Sequence, residues 1–294
     1  MQILRDVRIG FVGLGRMGAP MCANLVRAGC RVGATDLRPD APAGGARRFA
    51  TTTELAAEAD VLITMLPGPQ EVVTAMGDAL AVLPAGAVWI DMTSNDPAVV
   101  GPVRDRALAR GVDVLEAPAG GGPPAAGAGT LQLFAGGDPE VFERCRPILE
   151  ILGDPARIVR VGGHDAGYTA KLLVNLLWFG QAVATAEALL LGGRAGIDLG
   201  TLRTVLGDSA ASSDFIRRDL DALYAGDYLE TFGLDRCSEE LAAVTALAHE
   251  LDVPFALSDL VHHTYRRALA RYGPVDGELL AVALLEEETG LRLR

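Results

Sequence analysis

An α/β fold is predicted, with an N-terminal doubly wound, mainly parallel sheet followed by an all-helical second domain, and three observations predict it. Residues 7–13 form a short apolar run that ends in glycines, and a helical stretch (19–28) and a second apolar run (31–36) follow directly. Further runs of strand character recur up to residue 135, each bounded by glycine or proline. Past Gly162-Gly163 the glycines thin out, and alanine, leucine and glutamate take over. Strands alternating with helices imply a parallel sheet covered on both faces. A stretch rich in helix formers and lacking strand-like runs implies helices alone. With 294 residues the chain has room for two cores. The change near Gly163 divides it into 1–163, the sheet domain, and 164–294, a helical domain opened by a long helix.

The first turn carries the most specific local signal. Gly13-Leu14-Gly15-Arg16-Met17-Gly18 follows a strand and opens a helix stopped by Gly29, the context in which G-x-G-x-x-G binds a dinucleotide. The first glycine makes the tight turn, the second lets backbone approach a pyrophosphate, and the third lets helix pack on strand. The phosphates then meet the unpaired N–H groups of the helix start. Asp36 closes the second strand about 20 residues on, where a carboxylate accepts hydrogen bonds from the adenosine ribose. Its charge opposes a 2′-phosphate, which favours NAD over NADP. Arg38 pulls the other way, since a guanidinium can pair with a phosphate.

The remaining strands are expected at 60–66, ending at Leu66-Pro67; at 87–91, leading into Met92-Thr93-Ser94-Asn95-Asp96-Pro97; at 112–117; and at 132–135. Ligands of such sheets sit beyond the carboxyl ends of the strands, where Leu66-Pro67, Thr93-Ser94 and residues 118–122 lie. In the second half one long helix is expected over 168–191, ended by Gly192-Gly193. Shorter helices are expected over 199–206, 213–224, 235–251, 257–272 and 277–289.

Composition excludes several functions. A net charge of −12 opposes binding to a nucleic-acid backbone or an anionic membrane. The four cysteines are scattered without a C-x-x-C pair, which fits reduced thiols in the cytoplasm and offers no metal signature. Residues 1–8 contain two arginines and an aspartate but no apolar core, so no signal peptide is expected. The apolar run 172–191 contains Asn175, Gln181 and Glu187 and reads as a buried helix, not as a membrane span. His262 and His263 are adjacent and read as ordinary helix residues.

Of the 26 basic residues only one, Lys171, is a lysine. Arginine stays protonated at any working pH, whereas a lysine ammonium can have its pKa lowered by burial and then exchange a proton. Asn175 lies one helical turn further on, at i+4 on the same face.

Together these pieces resemble the β-hydroxyacid dehydrogenase family, the group that includes 3-hydroxyisobutyrate dehydrogenase and tartronate semialdehyde reductase. The opening glycine motif resembles the family's cofactor fingerprint, and Thr64-Met65-Leu66-Pro67 its strand-end segment beside the cofactor. Residues 91–97 look like D-x-[ST]-[ST]-x-x-P, which places Ser94 near the nicotinamide. Glu116-Ala117-Pro118-Ala119-Gly120-Gly121-Gly122 resembles the substrate loop D-A-P-V-S-G-G. Gly167-x-x-x-Lys171-x-x-x-Asn175 is similar to the family's catalytic glycine–lysine–asparagine segment. The resemblance implies a Rossmann-type domain, an NAD(P)-linked oxidoreductase acting on a small 3-hydroxy acid or its semialdehyde, Lys171 as general acid and base, and a homodimer or homotetramer. Asn175 would orient the lysine or hold the substrate hydroxyl. The backbone N–H groups of Gly121 and Gly122 would hold the carboxylate, and Gly167, without a side chain, leaves the approach to Lys171 open.

Two departures stand out. The family's loop serine is Gly120 here, so one hydroxyl facing the substrate carboxylate is missing. In Phe232-Gly233-Leu234-Asp235-Arg236-Cys237-Ser238-Glu239-Glu240-Leu241, similar to F-x-L-D-x-x-x-K-D-L, Glu239 takes the place of a lysine that lies against the cofactor. Arg236, one turn earlier, is the candidate to restore the positive charge. Two competing readings are an imine reductase of the same fold, which usually has aspartate or tyrosine at the lysine position, and a cofactor-binding protein without catalysis.

Overall fold

The computed structural model describes residues 6–294, so most of the segment that argues against a signal peptide, residues 1–5, lies outside the described residues. The chain forms two compact units, which part after Lys171, inside the long helix.

In the first unit β1 (Arg8–Val12), β2 (Arg31–Thr35), β3 (Arg47–Arg48), β4 (Val61–Thr64), β5 (Val88–Asp91) and β6 (Asp113–Glu116) run parallel in the order β3-β2-β1-β4-β5-β6. The order reverses between β1 and β4, the switch point at which doubly wound sheets bind ligands. Both faces are covered, and the strand residues divide between them with period two. Val61, Ile63, Val88, Ile90 and Leu115 enter one core with Met21 and Leu25 of α1 (Gly18–Arg27). Leu62, Trp89 and Val114 enter the other, with Val72 and Met76 of α3 (Pro69–Val82) and Tyr168. α2 (Thr52–Glu58) and α4 (Pro97–Ala109) complete that layer. Asp96 caps α4 by accepting a hydrogen bond from the Ala98 N–H at 2.9 Å, and Pro97 occupies the first turn, where its missing N–H is not needed.

Beyond β6 the sheet is mixed. β7 (Ala119–Gly120) and β6 both pair antiparallel with β8 (Leu131–Gly137), and β9 (Gly153–Gly162) pairs parallel with it at the edge, after α6 (Pro139–Leu152). Sequence reasoning missed β9 because most of it is exposed: Arg157, Val159, Arg160 and Val161 face outward and only Gly153 and Ile158 are buried, so no alternation marks it. It also missed β7 and read residues 116–122 as a loop. The structure starts a short helix, α5 (Gly122–Ala128), there, with prolines in its first turn.

The second unit is helical. α7 (Ala166–Arg194) supplies Leu172, Leu176 and Phe179 to one cluster with α10 (Leu234–Glu250) and α11 (Ala256–Tyr272). Ala182, Ala186 and Leu189 enter a second cluster with Val282 of α12 (Leu280–Thr289). By length and composition alone α7 could cross a bilayer, and 44% of its apolar window is buried inside the protein. The helix does not stop at Gly192-Gly193. A Cβ on Gly192 would collide with Leu202 of α8 (Leu199–Gly207), so these glycines allow close packing, and Gly196, with φ +88°, ends the helix two residues past Arg194. Residues 215–219 form a π-helical turn before α9 (Leu220–Tyr224), within the single helix expected over 213–224. The last helix begins at Leu280, later than expected, because Gly277 holds φ +146°.

Candidate active site

Gly13 and Gly18 are fixed by the protein itself. Gly13 has φ +97°, and a Cβ there would collide with the Met65 carbonyl oxygen and lie 2.9 Å from Leu66 Cδ2. A Cβ on Gly18 would overlap the Gly13 carbonyl oxygen. Gly15 differs: it is exposed, and a Cβ there would meet no protein atom. The protein therefore leaves open the ground above Gly15, beside the exposed Arg16 and the N-terminus of α1, where Met17 offers no side-chain cap. This arrangement fits a pyrophosphate lying against backbone.

Asp36 ends beside the same turn. Its Oδ2 accepts the Leu14 N–H at 2.7 Å and its Oδ1 accepts the Arg38 N–H at 2.8 Å. Burial pushes its pKa up, but these hydrogen bonds and the Arg38 charge outweigh burial and hold it below the usual carboxylate value. Arg38 is committed locally, with Nε 3.3 Å from Asp36 Oδ1 and Nη2 donating to the Leu14 carbonyl at 3.1 Å.

The other strand ends are joined to one another through hydrogen bonds. The N–H of Leu66, a half-buried residue beside the exposed Pro67, donates to Thr93 Oγ1 at 3.1 Å, and Ser94 is half-buried one residue further. Thr93 N–H and the Thr64 hydroxyl donate to Asp91 Oδ1 at 3.2 and 2.8 Å, and Trp89 Nε1 donates to Thr64 Oγ1 at 2.8 Å. Asn95 Nδ2 and the Tyr168 hydroxyl donate to Asp91 Oδ2 at 2.5 and 2.7 Å. Asp91 is fully buried, which raises its pKa against the pull of these donors. Sequence reasoning placed Asp91 in a motif but missed its bond to Tyr168, 77 residues away.

Glu116, at the end of β6, is also fully buried and holds the start of α7. It accepts the N–H of Asp165 at 2.6 Å and that of Gly167 at 3.1 Å. Burial pushes its pKa up to about 7 despite these bonds. Gly167 lacks a side chain for a different reason than expected. A Cβ there would stand 2.7 Å from the Phe134 carbonyl oxygen and 3.0 Å from Glu116 Cβ, so the glycine makes room for the sheet, not for a substrate.

Lys171 follows one turn after Tyr168 and is half-buried. Asn175 stands at i+4 on the same helix, and its Nδ2 donates to Glu240 Oε2 of α10 at 2.5 Å. Glu240 was overlooked, although it lies beside Glu239 in the resembled motif. Glu239 is paired with Arg236 at 2.9 Å, so the positive charge of Arg236 is answered within its own helix. Gly120 sits on β7, and Gly121 (φ +110°) and Gly122 (φ +66°) turn the chain into α5. A Cβ on Gly121 would stand 2.7 Å from Ala125 Cβ, whereas one on Gly120 would meet Phe134 and Gln132 at 3.6 and 3.7 Å, ordinary contact.

A dinucleotide cradle at the switch point followed by a helical unit defines an NAD(P)-binding oxidoreductase as the class. Residues 8–163 match the family described as the NAD binding domain of 6-phosphogluconate dehydrogenase, and residues 165–285 that described as NAD-binding of NADP-dependent 3-hydroxyisobutyrate dehydrogenase. The chain is 30% identical to 2-(hydroxymethyl)glutarate dehydrogenase of Eubacterium barkeri over 98% of this chain and 97% of that one. It is 39% identical to 3-hydroxyisobutyrate dehydrogenase of Pseudomonas aeruginosa over 70% of each chain. A solved structure of Mycobacterium tuberculosis 3-hydroxyisobutyrate dehydrogenase with L-serine superposes with a TM-score of 0.85 at 29% identity, covering 95% of this chain and 99% of that one. The chain belongs to the β-hydroxyacid dehydrogenase family, whose members include 3-hydroxyisobutyrate dehydrogenase.

Proposed function

We propose that the protein is an NAD-linked dehydrogenase of a small 3-hydroxy acid, or a reductase of its semialdehyde, with Lys171 as general acid and base. The observation that carries this reading is a single lysine, one turn beyond the Asp91–Tyr168 bond, on the same helix face as Asn175. A bound nicotinamide supplies the hydride acceptor or donor. An alcohol that loses hydride keeps an alkoxide-like oxygen unless its proton is taken, and a neutral Lys171 amine takes it; in reduction the ammonium returns it. Asn175, anchored by Glu240, orients the lysine or the substrate hydroxyl. The N–H groups of Gly121 and Gly122 hold the substrate carboxylate. The relative solved with L-serine, itself a 3-hydroxy acid, supports that substrate class.

Gly13, Leu14, Gly15, Arg16, Met17 and Gly18 would hold the pyrophosphate, Asp36 the ribose, and Leu66, Pro67 and Ser94 the nicotinamide side. Asp36 supports NAD, because a fixed carboxylate held below its usual pKa opposes a 2′-phosphate and already engages Arg38. Glu239 would stand toward the cofactor with its charge balanced by Arg236. The test follows the near-ultraviolet absorbance of reduced nicotinamide while 3-hydroxy acids and semialdehydes are offered with either cofactor. Turnover with NAD at lower KM than NADP is expected. Tight cofactor binding with no turnover would favour a non-catalytic protein, and a lower KM for NADP would reverse the cofactor assignment.

Gly120 has room for the family's serine. Gly120→Ser is expected to fold with unchanged stability and to lower KM for 3-hydroxyisobutyrate about tenfold, the effect of one added hydrogen bond to a charged group. An unchanged or raised KM would place the carboxylate elsewhere.

Exposed Leu173, Leu177 and Leu191 on α7, and Leu257 and Leu260 on α11, favour a homodimer or homotetramer. A monomeric mass by light scattering would contradict it. The unpaired, buried thiols of Cys22, Cys145 and Cys237 suit a reducing cytoplasm. Retention of a tagged chain in a membrane or secreted fraction would contradict that placement.

A further inference from the structure

Asp91 and Glu116 are register partners on adjacent strands, β5 and β6, and both are fully buried. Both reach the first turn of α7 from across the sheet. Glu116 accepts the backbone N–H groups of Asp165 and Gly167, and Asp91 accepts the Tyr168 hydroxyl. Buried carboxylates are costly, and apolar residues would fill the same volume at less cost, so a pair gripping one helical turn needs a reason. Ordinary capping does not supply one, since a helix start is satisfied as well by a local serine or aspartate, as at Asp96 and Asp138 in this fold.

We infer that Asp91 and Glu116 are positioning residues that set the azimuth and height of Lys171 by clamping the helix turn before it. Asp91 acts through the Tyr168 hydroxyl, and Glu116 acts through the helix backbone. The grip is bracketed from two directions, so the helix can neither rotate about its axis nor slide along it without breaking a buried hydrogen bond. The same Asp91 carboxylate accepts Thr93 N–H, and Thr93 Oγ1 accepts Leu66 N–H, so lysine and nicotinamide-side strand ends are placed by one network. Around Glu116 stand His164, with Nδ1 3.8 Å from Oε1, and Asp165, which is paired with Arg104. A proton-transfer group tolerates little displacement, because an error of about 1 Å costs about a hundredfold in rate.

The inference rests on Lys171 being the acid and base, and the test separates the two. Tyr168→Phe removes one oxygen and keeps the ring, and Glu116→Gln keeps shape while replacing one of the two accepting oxygens with a donor. Each is compared with the parent and with Lys171→Arg, using NAD and whichever 3-hydroxy acid the parent turns over, well below each variant's melting temperature. For Tyr168→Phe, kcat is expected to fall at least about tenfold while the dissociation constant of NAD stays within about twofold, and Glu116→Gln is expected to change in the same direction. A purely structural role would lower the melting temperature and leave kcat within threefold, and that result for Tyr168→Phe overturns the inference even if Glu116→Gln does not fold. Full turnover by Tyr168→Phe beside an inactive Lys171→Arg defeats the clamp alone. No turnover by the parent, or an active Lys171→Arg, defeats the assigned chemistry and the clamp with it.

Discussion

Lys171→Arg is expected to lower kcat by about 10²–10⁴-fold, the usual contribution of a positioned general acid or base, and to leave cofactor affinity unchanged. The substitution keeps the positive charge and nearly the length of the side chain, so electrostatic attraction to an anionic substrate survives. It removes only the ability to shed a proton, because a guanidinium stays protonated throughout the working range. The chain holds no other lysine, so no neighbouring ammonium can take over. Steady-state rates and equilibrium cofactor binding on one preparation check the point, and an arginine variant that turns over within threefold of the parent rules the lysine out.

Gly13→Ala is expected to abolish cofactor binding and to destabilise the first unit. At φ +97° an alanine bears about 1–2 kcal/mol of conformational cost. Its Cβ also drives into the Met65 carbonyl and the Leu66 side chain, which adds about 1–3 kcal/mol if the neighbours move. Those neighbours directly follow β4, and the Leu66 N–H donates to Thr93, so the displacement spreads to the strand ends on the nicotinamide side. Gly15→Ala meets no protein atom and should melt with the parent while losing affinity. Calorimetry and NAD titration of both variants separate turn geometry from ligand clearance. Parent-like melting of Gly13→Ala would contradict the account of the turn.

Much of this was legible in the sequence because it is local. The glycine turn, the strand at 60–66 and the position of Lys171 relative to Asn175 are written within a few residues, and period two or 3.6 exposes them. The contacts that place Lys171 are not local. Glu116 meets Asp165 and Gly167, and Asp91 meets Tyr168, across 49, 51 and 77 residues, and no periodicity relates them. The Asn175–Glu240 bond spans 65 residues in the same way. Glycine was ambiguous for a related reason. Gly192 and Gly167 read as a helix stop and as an open approach, whereas both relieve crowding by Leu202 and by the sheet, partners that only the fold supplies.

Hydride transfer is the centre of the account, and an isotope follows it directly. 3-Hydroxyisobutyrate with both hydrogens of its carbinol carbon replaced by deuterium is incubated with NAD and the protein, and the reduced cofactor is weighed by mass spectrometry. One deuterium is expected in the nicotinamide ring, formed by the parent and at least about a hundredfold more slowly by Lys171→Arg. NAD that binds tightly while neither 3-hydroxyisobutyrate nor any other deuterated 3-hydroxy acid passes its label to the ring would contradict it.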